Sequence, residues 1–537
     1  MRPFLMILLS VVGGWLAYQL RVVHLFEPEW LDERHTAWVL SGGWGSIWER
    51  AALGNQPALY FAGLKLLGLS DVSPGWLLRL PSLLANLLLV VGLPCGLYLW
   101  TRRVSAALVS CAMLAVQSDL LYYATEARVY GVLTTVALLQ ILVVAARLGL
   151  AGLGDAQRPT LTLRVVSIAL SVTLVWLHFT ALLLLIAEAL AALMQVRFDP
   201  RRRLVTWLRS TAGRDLAIDS GVIAMALLPL LPVMRNVGSH RQAWQAFVRL
   251  SADQIEPFAQ LAFWALLVPI AALAIDRWSR ARRTSTRDSK EGEVDPVLDT
   301  EPAPGATPTG VPDTIGLAWF ASAATLIAWG IAAAATAWGE TPVFLTRYLI
   351  GTWSWLALAA GLWVGTLGGS WTRPMVAVIL SAIFVANSEI PIGYAWGQWP
   401  VYRTERWREL TDRLNADENA NLPVTLYGGI IEEEQLADGG GPPLQAYLKF
   451  PLVGVTHPER VRARPSDQPL PLPMHDEGDL IVVRDDPNDP YLTQELAAAW
   501  REANRRAGQP GQVEVRMFGS VGLIRRGVES TGANARE

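Results

Sequence analysis

Long apolar runs follow one another along most of this chain, separated by short polar stretches. A bilayer core needs about 20 mostly apolar residues per helix. On that measure the pattern predicts about eleven spans, at 4–25, 76–100, 104–122, 129–146, 165–177, 179–196, 216–234, 258–275, 314–338, 347–368 and 374–393. The fifth and sixth are short and meet at His178. The first run lacks a small-x-small site after its core and is followed by many more spans, so it reads as an uncleaved anchor rather than a signal peptide. Neither interrupted helices nor an internal repeat stand out in the apolar pattern.

After residue 393 the pattern changes to that of a soluble domain. WRELTDRLN reads as a short amphipathic helix, PVTLYGG and DLIVVRD as strands, LTQELAAAWREANRRAG as a helix, and VEVRMFGSVGLIRRG as a strand or hairpin. The predicted fold is mainly α: a polytopic helical bundle over 1–393 and a small C-terminal α/β domain over 394–537. The segment 284–313 is rich in Pro, Thr, Asp and Glu and reads as a disordered cytoplasmic loop.

Composition agrees with a membrane class. The 537 residues are 52% hydrophobic and only 17% charged, where an ordinary soluble chain carries about 25% charge. Cys95 and Cys111 both fall in apolar runs, which excludes a disulfide-stapled domain and offers no metal spacing. No P-loop is present, which argues against an ATP-driven pump. Nothing suggests a nucleic-acid partner.

The net charge of −2 matters less than its distribution. Arginines crowd one set of loops, from Arg102 and Arg103 through Arg201–Arg203 to Arg280–Arg283 and Arg373. The opposite set opens with Glu27, Glu29, Asp32 and Glu33 against Arg34. Positive loops stay in the cytoplasm. The first loop and, with an odd span count, the C-terminal tail are therefore expected outside an inner membrane.

Within that first loop, residues 34–49 set Trp38, Trp44 and Trp48 among small residues, and 57–69 follow a proline. Both read as helices lying in the interface, where Trp prefers to sit. Asp32 and Glu33 would then stand at the bilayer lip, although a solvated acidic loop explains the spacing equally well. Glu126 and Arg128, flanked by Tyr122, Tyr123 and Tyr130, fit a structural ion pair or a guanidinium offered to a phosphate. Arg347 opens a span from the outside, His178 is a lone histidine between spans, and mid-span Glu188 reads as a packing or hydrogen-bonding group.

In order along the chain stand the acidic pair, QPALY, LLRLPSLL, YYATEARVYGVL, LHFTALLLL, FLTRYLIG and WRELTDRL. This series resembles the GT-C-type integral-membrane glycosyltransferases, specifically the bacterial relatives of protein O-mannosyltransferases and aminoarabinose lipid A transferases. The resemblance runs from Asp32 to about Leu426. It implies that Asp32 is the catalytic acid of the first loop with Glu33 beside it. It likewise implies that Glu126, Arg128 and Tyr130 form the E-a-R-x-Y motif, that His178 is a recurrent site histidine, and that Arg347 and Tyr348 lie near the donor phosphate. Where the family commonly has His-Pro-Pro or Lys-Pro-Pro before Leu-Tyr, this chain has Gln56-Pro57-Ala58-Leu59-Tyr60. That departure bears on substrate class more than on fold.

The implied reaction moves a sugar from a polyprenyl-phosphate donor to an extracytoplasmic lipid, glycan or protein acceptor with inversion, Asp32 acting as base. An acidic pair of this kind also accepts Mg²⁺ or Mn²⁺, though the sequence offers no compelling ligand set. The rival class is a secondary transporter or non-catalytic scaffold, for which the internal inverted repeats typical of transporters are missing from the pattern.

Overall fold

The computed structural model describes residues 2–150, 160–198, 211–239, 250–288, 313–338, 343–398, 401–416, 419–427, 446–464, 480–485, 492–506 and 512–527. The chain divides into two compact units. One comprises Met1–Val22, Pro81–Leu231 and Val248–Pro400; the other comprises Val23–Leu80, Pro232–Phe247 and Val401–Glu537. Packing therefore joins the first loop to the C-terminal tail, which places both on one side of any bilayer.

The first unit is helical. Six described helices are long and apolar enough to cross a membrane: Pro3–Leu25, Gly75–Thr101, Tyr130–Arg147, Gly213–Arg235, Ala252–Trp278 and Thr314–Trp338. A seventh arises if Val104–Val116 and Ser118–Ala124, bent by 60° at Gln117, count as one span. The apolar helices Leu161–Leu177, Ala181–Gln195 and Thr372–Ala386 are shorter, so length alone does not confirm eleven spans. Phe4, Ile7, Val11 and Trp15 repeat at helical spacing on the first helix and are each more than half exposed, as befits a lipid-facing stripe.

At the centre of this unit runs Gly351–Thr366, buried along nearly its whole length. Two of its three indoles bond to neighbouring helices: Trp355 Nε1 donates to the Ala137 carbonyl at 2.9 Å and Trp363 Nε1 to Ser322 Oγ at 3.1 Å. Gly361 permits the closest approach. A Cβ there would stand 2.6 Å from Leu97 Cδ1 and 2.8 Å from the Ala106 carbonyl oxygen, so any side chain would push Val104–Val116 away.

The 60° bend corrects the expectation of an unbroken span at 104–122 and of an apolar pattern without interruptions. A break inside hydrocarbon frees carbonyls that water cannot reach, and here each is met. The Met113 oxygen accepts the Gln117 amide at 3.1 Å. Arg21, fully buried on the first helix, donates to the Leu114 and Ala115 oxygens at 3.0 and 3.1 Å and to Asn86 Oδ1 at 2.9 Å. Ser388 Oγ donates to the Val116 oxygen at 2.6 Å.

The second unit holds a five-stranded sheet, β1 Val424–Tyr427, β2 Val461–Arg464, β3 Leu480–Arg484, β4 Gln512–Phe518 and β5 Val521–Gly527, in the order β2-β1-β3-β5-β4. β1 pairs in parallel with β2 and β3; the remaining pairings are antiparallel. The helix Leu492–Arg506 lays Ala497 and Trp500 on Tyr427, Ile481, Val483 and Ile524. The predicted helix at WRELTDRLN is Trp407–Asn415, and the last segment is a hairpin turning at Gly519, whose φ is +67°.

Two local readings change. The expected single helix over 34–49 is three pieces, Leu31–Ser41, a 3₁₀ turn Trp44–Ser46 and Ile47–Leu53, because Gly42-Gly43 stops the first. Asp32 and Glu33 thus lie in the first turn of a helix rather than ahead of it. Residues 284–288 close the helix Val268–Asp288, against the loop reading of 284–313; residues 289–312 lie outside the described residues.

Candidate functional site

In the second unit the acidic first loop is laced by arginines. Glu33 is fully buried, and Arg79, also fully buried, donates through Nε to its Oε1 at 2.7 Å and through Nη2 to its Oε2. The other Nη of Arg79 donates to the carbonyls of Leu25 and Glu27 at 2.7 and 2.6 Å. Glu29 accepts from Arg34 Nη1 at 3.1 Å and from Arg408 Nη2 at 2.6 Å. Glu27 accepts from Arg403 Nη1 at 3.1 Å. Charges this deep persist only when paired and hydrogen-bonded, and Glu27, Glu29 and Glu33 each meet an arginine. Asp32 is partly exposed.

The helix carrying Asp32 is held in place from its far face. The Leu31 amide donates to Glu405 Oε2 at 2.8 Å, and Arg34 Nε donates to the Pro451 carbonyl at 3.1 Å. His35 meets Phe61, Tyr447 and Phe450 edge-on, with ring centroids 5.4–6.0 Å apart. Gln56 and Tyr60 are buried, beyond the turn at Gly54-Asn55, where Asn55 has a φ of 57°.

The first unit assembles the other residues expected at a site. Glu126 and Arg128 lie in the turn between Ser118–Ala124 and Tyr130–Arg147, Glu126 fully buried and Arg128 nearly so. Ser82 Oγ donates to the Arg128 carbonyl and fixes that turn. His178 occupies the gap between Leu161–Leu177 and Ala181–Phe198. Its ring lies 5.7 Å from Tyr130 and 5.5 Å from Tyr348, centroid to centroid, and the Arg347 guanidinium stands 5.1 Å over the Tyr348 ring. Tyr123 extends the aromatic wall, 4.9 Å from Tyr130.

His178 Nδ1 accepts from the Thr180 amide at 3.3 Å and lies 2.7 Å from Thr180 Oγ1. A ring nitrogen that accepts leaves the proton on the other, so Nε2 is a donor. Burial, then the positive charges of Arg347 and Arg128, push the His178 pKa down from 6.5 to about 3. The ring is neutral at pH 7 and can donate one hydrogen bond. Two guanidinium groups and an imidazole N–H form a set suited to a phosphate.

Arg128, Tyr130, His178, Arg347 and Tyr348 thus come together in one unit, with Glu126 in the same turn as Arg128. Asp32, Glu33, Gln56 and Tyr60 belong to the other. Arg21, Arg79, Arg408 and Thr180 were not singled out beforehand. For Arg21 and Arg79 the available signal was an arginine within an apolar run, where the default expectation is a specific partner. Among the described residues no three His, Cys, Asp or Glu side chains stand close enough to hold a metal ion.

No protein-family profile matches the chain and no curated protein matches it. Over 99% of its length, and 99% of that chain, it is similar to the crystal structure of ArnT from Cupriavidus metallidurans bound to undecaprenyl phosphate, with 13% sequence identity and a TM-score of 0.47.

Proposed function

We propose that this protein is an integral-membrane glycosyltransferase of the GT-C type, which moves a sugar from a polyprenyl-phosphate donor to an acceptor outside the cytoplasmic membrane. The observation that carries the reading is His178 set between the rings of Tyr130 and Tyr348, with the Arg347 guanidinium over Tyr348 and the buried Arg128 two residues before Tyr130. A diphosphate- or phosphate-linked lipid suits such a cluster, because its anion meets fixed donors and its chain has the apolar helices beside it.

In this reading Asp32 takes the proton from an acceptor hydroxyl as that oxygen bonds to the anomeric carbon. The bond from the anomeric carbon to the phosphate oxygen breaks, and its electron pair leaves with the phosphate. Attack from the opposite face inverts the configuration. Arg128, Arg347 and the His178 Nε2–H hold the charge that develops on the leaving group. Glu33 supports the helix of Asp32 through Arg79. The arginine-rich loops, read by the positive-inside rule, support a position outside the membrane for the loop of Asp32 and the C-terminal domain.

The test is transfer of labelled sugar from polyprenyl phosphate in proteoliposomes, with donor binding measured separately. Loss of transfer in Asp32→Asn with donor binding retained supports the reading. Full transfer in that variant overturns the role of Asp32, and an absence of donor binding by the wild type overturns the function.

A further inference from the structure

Three helix interruptions of the first unit converge on one cavity of about 280 Å³. The first is the 60° break at Gln117. The second is a π-helical turn, Phe263–Leu267, inserted between Ala252–Ala262 and Val268–Asp288, which sets the direction of Trp264. The third is the end of Thr372–Ala386, where Asn387 and Ser388 leave the helix. A π turn strains a helix and recurs at functional sites, and non-helical backbone at membrane depth survives where protein buries it or a polar cavity receives it. The break at Gln117 is also held from outside itself, by Arg21 and Ser388 on its last carbonyls.

The lining has a distinct chemistry. Gln117, Asp119, Gln260, Asn387 and Ser388 supply planar amides, a carboxylate and a hydroxyl, and Trp264 supplies an indole. Gln117 braces the carboxylate, with Nε2 donating to Asp119 Oδ2 at 3.1 Å and Oε1 accepting the Asp119 amide at 3.3 Å. No Lys, Arg or His lines the cavity, which disfavours a phosphate. One carboxylate, already bonded to an amide, is a poor cage for a divalent cation. A lipid tail would lay hydrocarbon against six polar side chains, Gln117, Ser118, Asp119, Gln260, Asn387 and Ser388; Ser388, Gln117 and Gln260 each spend a bond inside the protein, but their remaining donors and acceptors would go unmet. What remains is a neutral polyol with one C–H face: amides and a carboxylate bond to adjacent hydroxyls, and an aromatic ring covers the apolar side. The volume holds on the order of nine waters, which is the space of a single ring sugar with its hydroxyls.

We propose that this cavity binds one neutral monosaccharide unit. The break at Gln117 and the stop at Asn387 fall toward helix ends that the arginine count reads as outer, and the π turn lies within the span Ala252–Trp278. A part in transfer rests on the reading of the previous subsection; sugar binding itself rests only on the lining.

The full-length protein in lipid nanodiscs, labelled with 5-fluorotryptophan, provides the test. The Trp264 resonance is identified by its loss in Trp264→Phe. Methyl glycosides of glucose, mannose, galactose and N-acetylglucosamine are titrated, with glycerol as control. The expected result is a saturable shift of Trp264 with at least one glycoside, at a dissociation constant of about 1 mM, and no shift with glycerol. Asp119→Asn and the exposed Asn387→Ala should each weaken that binding about three- to tenfold; Asn387→Ala decides the matter if Asp119→Asn fails to fold. No shift with any glycoside, an equal shift with glycerol, or unchanged affinity in Asn387→Ala overturns the proposal. A shifting Trp264 in a protein without transfer activity removes the transferase reading and leaves the sugar site. Active transfer without the shift does the reverse.

Discussion

Arg79 closes on Glu33 as a fork on a fork, Nε to Oε1 at 2.7 Å and Nη2 to Oε2, with both side chains out of reach of solvent. Removing one partner of such a pair leaves a buried charge uncompensated, at a cost of about 3–5 kcal/mol. Glu33→Gln and Arg79→Met should therefore each lower the thermal unfolding midpoint in detergent by several degrees. The double variant Glu33→Leu/Arg79→Met removes the uncompensated charge but leaves the Leu25 and Glu27 carbonyls without their donor, so it should recover only part of the loss. If Glu33→Gln keeps the wild-type midpoint and loses only turnover, Glu33 touches the reacting atoms and is no support.

Asp32 should behave in the opposite way. It is partly exposed in the first turn of Leu31–Ser41, where Asp32→Asn forfeits about 0.3–1 kcal/mol of helix-dipole stabilisation. A lost general base lowers turnover about 10²–10⁴-fold. The expected pattern is an unchanged midpoint with transfer reduced by at least two orders of magnitude.

At the proposed phosphate cluster, Arg128→Lys and Arg347→Lys keep the charge and remove the planar fork. Both should weaken binding of polyprenyl phosphate, measured by displacement of a labelled lipid in nanodiscs, by about tenfold or more. Wild-type affinity in both variants would reduce the two arginines to anchors.

His178 makes a pH prediction. Its folded pKa, near 3, lies below the unfolded value of 6.5, so between those values the unfolded chain binds more protons than the folded one. Its contribution to stability is fully present above pH 6.5 and declines as pH falls toward 3. In labelled histidine NMR the His178 ring should not titrate between pH 5 and 8. Removing the larger of the two repelling charges, in Arg347→Gln, should raise its pKa. A His178 ring that titrates near 6.5 in the wild type would break the argument.

Periodicity made much of this architecture legible. The helix Trp407–Asn415 carries its amphipathic pattern openly, and β1, β3 and the final hairpin have apolar runs bounded by turn residues. β2 is not visible in the sequence, because VRAR is only four residues long with one bulky apolar side chain, and it exists by pairing with β1. The break at Gln117 was invisible for a similar reason. AVQSDLL has neither Gly nor Pro, and what sustains the break is an arginine and a serine from distant helices. The residues of the phosphate cluster were named from motifs, but the proton on His178 Nε2 follows only from the Thr180 amide.

The arginines that lace the second unit also impose an order in time. Glu29 meets Arg408 across 379 residues of chain, and Arg34 reaches Thr411 across 377. A ribosome adding about 5–20 residues per second needs on the order of 20 to 75 seconds to cover that distance. For that interval the newborn first loop and Arg79 have been made and the loop's partners in the tail have not. It must wait hydrated, or in the keeping of a chaperone, until the tail arrives. A truncation before Val401 would therefore cost more than a terminal domain, because it would leave the loop carrying Asp32 without Arg403, Glu405, Arg408 and Pro451, which hold it from the tail.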